Sequence, residues 1–349
     1  MDMPPSLCTP HPSSPPMLIM RKLFATRRYE QQFPHDQHGW GCYPQAERLR
    51  PRRTGRLRQA VPVMQWPIGV FTRTEAVRQY GPERIRRWLS TGAWKRIDRG
   101  LYASIDTPLD ADIRIRAALR SAGSDLTVVG ESAAVLHGFG VLDSGVVHLA
   151  GQPSRTARSR PGLCIHGYRI PPADVGELAG MRVTTPARTA VDLARSVSRL
   201  DALAVLDAAL HIGACTPEEL AAQVANQRHA KGIVQARHIV ARANGLSESP
   251  MESRLRCRVL DAGLPMPTLQ HWVRDGHGTG VFRLDLAWPE YRVGLEYDGA
   301  EHQDRMRQRH DLERRAWLTQ RDWRMLSVTD IDVYRLHHRM IERVWSLLG

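Results

Sequence analysis

Several things are scarce in this 349-residue sequence, and each shortage narrows what the chain is. Cysteine occurs five times, at Cys8, Cys42, Cys164, Cys215 and Cys257, an odd and scattered set without a C-x-x-C pair. Neither a disulfide framework nor a zinc ribbon is indicated, and a reducing cytoplasm is the expected compartment. No apolar run approaches the roughly 18 to 20 residues that a membrane-spanning helix needs, and the first residues lack the apolar core of a signal peptide. The expectation is a soluble chain with no membrane partner. Lysine is nearly missing: Lys22, Lys95 and Lys231 are the whole set, so arginine carries almost all the positive charge.

That charge is large. The formal net charge is +13, and 42% of residues are hydrophobic, enough for packed cores. An excess of cations concentrates polyanions around a protein, so DNA is the first partner to expect. The length exceeds what one core usually organises. Residues 1–63, rich in Pro, His, Gln and Arg with no helical or strand period, read as a disordered tail or an over-extended start. Three further segments follow: 64–107, 108–245 and 246–349. The fold class expected is mixed α/β (α+β).

The segment 64–107 reads as a winged helix-turn-helix. Thr72-x-x-Glu75 is a capping-box signature, Ala76, Val77 and Tyr80 share a face, and Gly81-Pro82 breaks the helix. A second short helix follows, with Ile85, Trp88 and Leu89 as its apolar stripe and Arg84, Arg86 and Arg87 pointing elsewhere, up to a stop at Gly92. Trp94 to Ala103 then gives two short strands about a turn at Arg99-Gly100. Arg84, Arg86, Arg87, Lys95 and Arg96 are the expected DNA contacts. The middle, 108–245, mixes short strands (126–129, 146–150, 163–170) with Ala-rich helices (189–196, 202–211) and holds no motif of defined chemistry. Glu131 there suits the first turn of a helix.

Carboxylates carry the strongest pattern of the last segment. Leu284, Leu286 and Trp288 alternate with Arg283, Asp285 and Ala287, and Val293, Leu295 and Tyr297 alternate with Gly294, Glu296 and Asp298, as two strands should. A turn centred on Glu290-Tyr291 sets Asp285 directly across from Glu296, with Cβ atoms roughly 4.5 to 5.5 Å apart. Two such acids either hold a divalent cation, Mg²⁺ or Mn²⁺, or are solvated acids on an exposed hairpin face. Ser249-Pro250-Met251-Glu252 reads as an N-cap, N1 proline and N3 acid, a capping box in its own right. His302 is a candidate acid or base. Arg305, Arg307, Arg309, Arg314 and Arg315 fall on one helix, in part paired with Asp311 and in part, Arg305 and Arg309 above all, free to track phosphates. A strand over 323–328 and a closing amphipathic helix over 330–348 complete the segment.

The stretches Ser249-Pro-Met-Glu252, Arg283-Leu-Asp285, Gly294-Leu-Glu296-Tyr-Asp298-Gly299-x-x-His302, Arg309-x-Asp311-x-x-Arg314-Arg315 and Trp323-Arg324 together resemble the very-short-patch-repair-like branch of the PD-(D/E)XK nucleases. The resemblance implies a restriction-endonuclease-like mixed sheet flanked by helices, Asp285 and Glu296 as metal ligands, and Glu252, Asp285, Glu296, Asp298 and His302 as the catalytic set of a metal-dependent DNA endonuclease. Asp298 stands where many members of the wider superfamily carry a lysine. It is then either a further metal ligand or the mark of a site that no longer cuts. Phe71-Thr-Arg-Thr-Glu-Ala76 and Gly92-Ala-Trp-Lys-Arg-Ile-Asp-Arg-Gly-Leu-Tyr-Ala103 resemble the N-terminal winged helix of the AbiEi antitoxins of type IV toxin-antitoxin systems. This implies, as the alternative to a nuclease, a transcriptional regulator with a cognate toxin as partner and an inactive nuclease fold.

Overall fold

The computed structural model describes residues 69–98, 100–123, 125–142, 144–152, 158–299 and 305–349, of which the side chains of Asp98 and of 305–310 are left aside. The expected tail, 1–63, lies outside the described residues. Twelve α-helices and three sheets are found among them, a mixed α/β fold.

The first sheet is built from β1 (Val70–Thr72), β2 (Trp94–Asp98) and β3 (Leu101–Ser104) in the order β1-β3-β2, antiparallel throughout. Two helices, α1 (Arg73–Tyr80) and α2 (Pro82–Ser90), are joined at Gly81. Helix α1 starts where the sequence says, because Thr72 Oγ1 accepts from the Glu75 N–H at 3.1 Å while the Glu75 carboxylate accepts from the Thr72 N–H at 2.8 Å. Gly81 sits at φ +80°, a region open to glycine at no steric cost, which lets one helix end and the next begin without a loop. Aromatic rings form the small core between them: Trp88 and Trp94 have centroids 5.0 Å apart, and Phe71 stacks on Trp94 at 5.2 Å. Strand β1 is an addition to the two expected strands.

Helix α3 (Ala111–Ala122) leads into a five-stranded sheet of order β6-β5-β4-β8-β7, comprising β4 (Thr127–Val128), β5 (Val147–Ala150), β6 (Leu163–His166), β7 (Val175–Leu178) and β8 (Met181–Thr184). Pairs β4/β8 and β5/β6 are parallel and the others antiparallel. Strand β6 stops at His166, short of the expected 170. Ile115, Leu119, Val128, Leu149 and Leu163 fill the space under this sheet. Helix α4 (Gly130–Leu136) follows β4 and carries Glu131 in its first turn, where the carboxylate accepts from the Ser144 N–H at 3.0 Å and Oγ at 2.6 Å.

Helices α5 (Pro186–Ser196), α6 (Arg199–His211), α7 (Pro217–Asn226) and α8 (Ile233–Val240) form the next layer around Leu203, Leu206, Leu220 and Ile239. Each of α5, α6 and α7 begins on a Ser or Thr whose hydroxyl accepts an N–H of the first turn, which satisfies one of the otherwise unpaired donors.

The last sheet has the order β12-β11-β10-β9, from β9 (Thr268–Arg274), β10 (Gly280–Trp288), β11 (Val293–Tyr297) and β12 (Arg324–Val328), with β11/β12 parallel and the rest antiparallel. One face packs on α9 (Pro250–Asp261), α11 (Asp330–Tyr334) and α12 (His337–Leu348) through Leu255, Leu286, Leu295, Val333 and Val344. Leu284, Ala287, Leu318 and Trp323 form a second cluster with α10 (Arg305–Thr319).

Three expectations need correction here. Leu284 and Leu286 belong to different clusters, so the strict alternation read over 283–288 is not kept; the β9/β10 register is continuous there, its irregularity falling between Gly280 and Phe282, while Gln270 on β9 takes a left-handed φ of +50°. The closing helix over 330–348 is two helices, α11 and α12, because the Arg258 guanidinium donates to the Val333 carbonyl at 2.9 Å, taking the acceptor that a continuous helix would offer to residue 337. The capping box at Ser249 is only half made. Ser249 Oγ accepts from the Glu252 N–H at 3.2 Å, but the Glu252 carboxylate turns to the Glu248 N–H at 3.0 Å.

Helix α9 serves two cores. Leu255 and Val259 pack against the last sheet while Cys257 joins the helical layer. Between them, Arg256 and Asp207 form an ion pair at 2.5 Å with side chains 2% and 1% exposed.

Candidate functional site

The β10/β11 register pairs Leu286 with Leu295, Ala287 with Gly294 and Trp288 with Val293, which sets Asp285 across from Glu296. A single turn of 3₁₀ helix at Pro289–Tyr291 and left-handed Arg292, φ +51°, make the reversal. Glu252, at the start of α9, faces the same place: its carboxylate accepts from Gln270 Nε2 at 2.7 Å. The left-handed φ of Gln270 thus falls at the residue that meets Glu252.

Asp285 is the most perturbed acid. Its Oδ2 accepts from the Tyr297 N–H at 3.1 Å. Burial, and then the charge of Glu252 with a smaller addition from Glu296, push its carboxyl up to about 7, against the pull of the Tyr297 N–H and Arg314. Glu296 is also raised by burial, although Arg314 holds it: Nη1 donates to Oε2 at 2.9 Å, and Nη2 donates to Oε1. Arg314 further donates to the Arg283 carbonyl at 3.1 Å and lies 5.6 Å from the Phe282 ring centroid. A planar guanidinium gripping both carboxylate oxygens is the strongest geometry such a pair can take.

Asp298 stands past the end of β11, exposed, its N–H donating to the Val328 carbonyl at 2.8 Å. It does not join Glu296 in the half-buried cluster, and it acts on that residue through its charge. His302 lies outside the described residues. Arg305 and Arg309 are on α10, where their side chains are not described. Arg314, expected as a partner of Asp311 on its own helix, reaches across to β11, since a half-buried carboxylate offers more than an exposed one.

The cluster brings together Glu252, Asp285 and Glu296, with Arg314 bonded to Glu296 and the charge of Arg315 also acting on it. Hard carboxylate oxygens are the right donors for Mg²⁺ or Mn²⁺. The arrangement would accept such an ion only with Arg314 withdrawn from Glu296, because both oxygens of that carboxylate are engaged. Sequence reading missed Gln270 and the role of Arg314; neither is signalled locally, since each meets the acids across 18 residues of chain.

The basic residues of the first segment are arranged differently. On α2, Ile85 and Trp88 are buried, and Arg84, Arg86 and Arg87 are exposed on the remaining surface. Arg86 pairs at 3.1 Å with Glu83 one turn earlier, both more than 70% exposed, so water and salt leave that pair weak and the guanidinium available to an anion. On β2, Lys95 is half-buried and Arg96 exposed. No helix among the described residues is long and apolar enough to cross a membrane.

Residues 126–241, which hold all five strands of the five-stranded sheet and helices α4 to α8, match the AbiEi antitoxin C-terminal domain. Two uncharacterized proteins of Mycobacterium tuberculosis, from strains CDC 1551 and ATCC 25618 / H37Rv, are each 35% identical over 257 residues, covering 73% of this chain and 93% of theirs. The family signal therefore falls on the stretch in which the sequence shows no chemical motif.

Proposed function

Since the chain belongs to the same family as the two mycobacterial proteins and carries an AbiEi antitoxin C-terminal domain, we propose that it is a DNA-binding regulator of the toxin–antitoxin class. The domain match over 126–241 is the observation that carries this reading. In it, residues 64–107 act as a winged helix-turn-helix, α2 enters the major groove with Arg84, Arg86 and Arg87, and the β2/β3 hairpin lies along the backbone with Lys95 and Arg96. Binding to the operator of its own gene represses it, and a cognate toxin is its second partner. Residues 246–349 form a nuclease-like module that serves assembly rather than cleavage, with Arg314 closing the acidic cluster.

The test is a mobility shift on the DNA upstream of its own gene, across a salt series. Arg86→Ala with Arg87→Ala should weaken binding at least tenfold and flatten the log–log salt slope by about 2, as loss of two phosphate contacts requires. Unchanged affinity and slope would sink the assignment of α2.

A second reading is favoured by Asp285, a carboxyl held near 7 beside two other acids. Here Asp285 and Glu296 would hold Mg²⁺ or Mn²⁺, with Glu252 and Asp298 supporting them, His302 assisting proton transfer and Arg305 and Arg309 guiding DNA. Such an ion supplies a Lewis acid for the phosphate and a more acidic water. Arg314 would have to leave Glu296 and take up substrate phosphate. Supercoiled plasmid with Mg²⁺ or Mn²⁺, with and without chelator, decides between the two: the regulator reading expects wild type and Asp285→Ala to be equally inert, and chelator-sensitive nicking by wild type alone would establish the nuclease.

A further inference from the structure

A second cluster of ligand-type side chains lies away from the acids. His148, Cys164 and His166 each bring one ligand atom to within 4.8 Å of the other two, the one such trio of His, Cys, Asp or Glu among the described residues. The sheet explains how they meet. Strands β5 and β6 are parallel, with His148 beside Cys164 and Ala150 beside His166. Alternate positions of a strand share a face, so both histidines and the cysteine stand on one side, while Val147, Leu149 and Leu163 point into the core on the other. All three are half-buried, and β6 is the edge strand of its sheet.

His148 Nδ1 and His166 Nε2 are 3.2 Å apart. Two nitrogens bound to one tetrahedral Zn²⁺ at ordinary Zn–N distances are separated by roughly 3.3 Å. A shared proton between the imidazoles would give the same spacing, but it gives no account of the cysteine sulfur drawn up to the pair. Cys164 forms no disulfide. Imidazole and thiolate together select borderline-soft divalent cations over Mg²⁺ or Ca²⁺.

We propose that His148, Cys164 and His166 form a three-residue site for a Zn²⁺-class cation, clamping edge strand β6 to β5 and leaving the fourth coordination position to water or an outside ligand. The sequence hides it, because Cys164-x-His166 alone is two ligands and the third, His148, lies sixteen residues before Cys164 on a strand whose register only folding reveals.

The experiment uses the full chain without a histidine tag, stripped by chelator, and titrated with Co²⁺. The expected result is one equivalent bound, with the intense visible bands of four-coordinate Co²⁺ and a near-ultraviolet thiolate band, both erased by Zn²⁺. Cys164→Ser should remove the thiolate band, and His166→Gln should weaken binding at least tenfold. A spectrum no different from Co²⁺ in buffer overturns the proposal, as does a thiolate band that persists in Cys164→Ser. Should either variant fail to fold, the unaltered chain still decides. Alkylation of Cys164, followed by peptide mass, should slow at least tenfold when Zn²⁺ is added, and equal rates with and without Zn²⁺ overturn the site.

Discussion

Asp285 shows at the scale of one residue how a cluster of like charges is tolerated. Its carboxyl sits at about 7, so near neutral pH it is in part protonated and the repulsion with Glu252 and Glu296 is relieved by a proton. In the folded chain it holds a proton that the unfolded chain loses near pH 4. The contribution of this one group to stability is therefore greatest below that pH and falls as pH rises from about 4 to 7, where the native state binds more protons than the unfolded one. Asp285→Asn removes this penalty and keeps an oxygen for the Tyr297 N–H. Without divalent ions, the variant should nearly match wild type at pH 4 and exceed it by about 4 kcal/mol at pH 8. Urea unfolding at the two pH values measures this, and a difference that does not change with pH would contradict it.

Asp285 opposite Glu296 was legible beforehand, because a hairpin's register follows from its own turn and its own alternation. Arg314 on Glu296 was not. On the helix, Asp311 is its neighbour by spacing, and only the packing of α10 against the sheet offers it a better partner. The capping box at Thr72 was likewise legible and is made in full, while that at Ser249 lost its reciprocal half to Glu248, one residue outside the motif.

Elements are joined here by buried charge as well as by apolar contact. Asp207 on α6 accepts from Arg256 on α9 at 2.5 Å and from the Asn244 N–H at 2.8 Å, and Arg256 donates to the Arg242 carbonyl at 2.7 Å. Burial pushes the Asp207 carboxyl up, against the pull of Arg256 and these hydrogen bonds. Breaking one side of such a pair leaves a charge with no water and no partner, which costs about 3 to 5 kcal/mol. Asp207→Ala should lower stability by that amount in denaturant unfolding, whereas Arg199→Ala, which removes a partly exposed pair with Asp261, an acid that Arg242 still holds, should cost about 1 kcal/mol. Equal costs would mean that the α6/α9 contact depends on its apolar residues alone. None of this was legible: Arg256 reads in the sequence as one arginine of a basic helix, and nothing in its neighbours marks it as buried.

For the molecule from the first sheet onward, the mixed α/β class and some elements of each sheet were readable, while β7, β8, β9 and helices α3, α7 and α8 were not. What escaped was identity in the middle. Residues 126–241 hold no motif of defined chemistry that the sequence alone announces, and it is over this stretch that the chain matches an antitoxin domain. Two buried thiols nearby, unlike Cys164, add nothing reactive. Burial pushes Cys215 up to about 11 and Cys257, in the neighbouring helix α9, up to about 12.

Helix α9 gives this arrangement a consequence for how the gene can be cut. A chain ended at residue 245 would carry the antitoxin-like stretch with Asp207 unpaired and the place of Cys257 in the helical core empty. The fragment should be recovered in inclusion bodies or unfold at least 10 °C below the full chain in a thermal scan, and extending it to residue 263 should restore much of the loss. The same helix carries Leu255 and Val259 into the last sheet's core, so a break before α9 strands Asp207 and a break after it bares that sheet; the two layers share one helix as their seam.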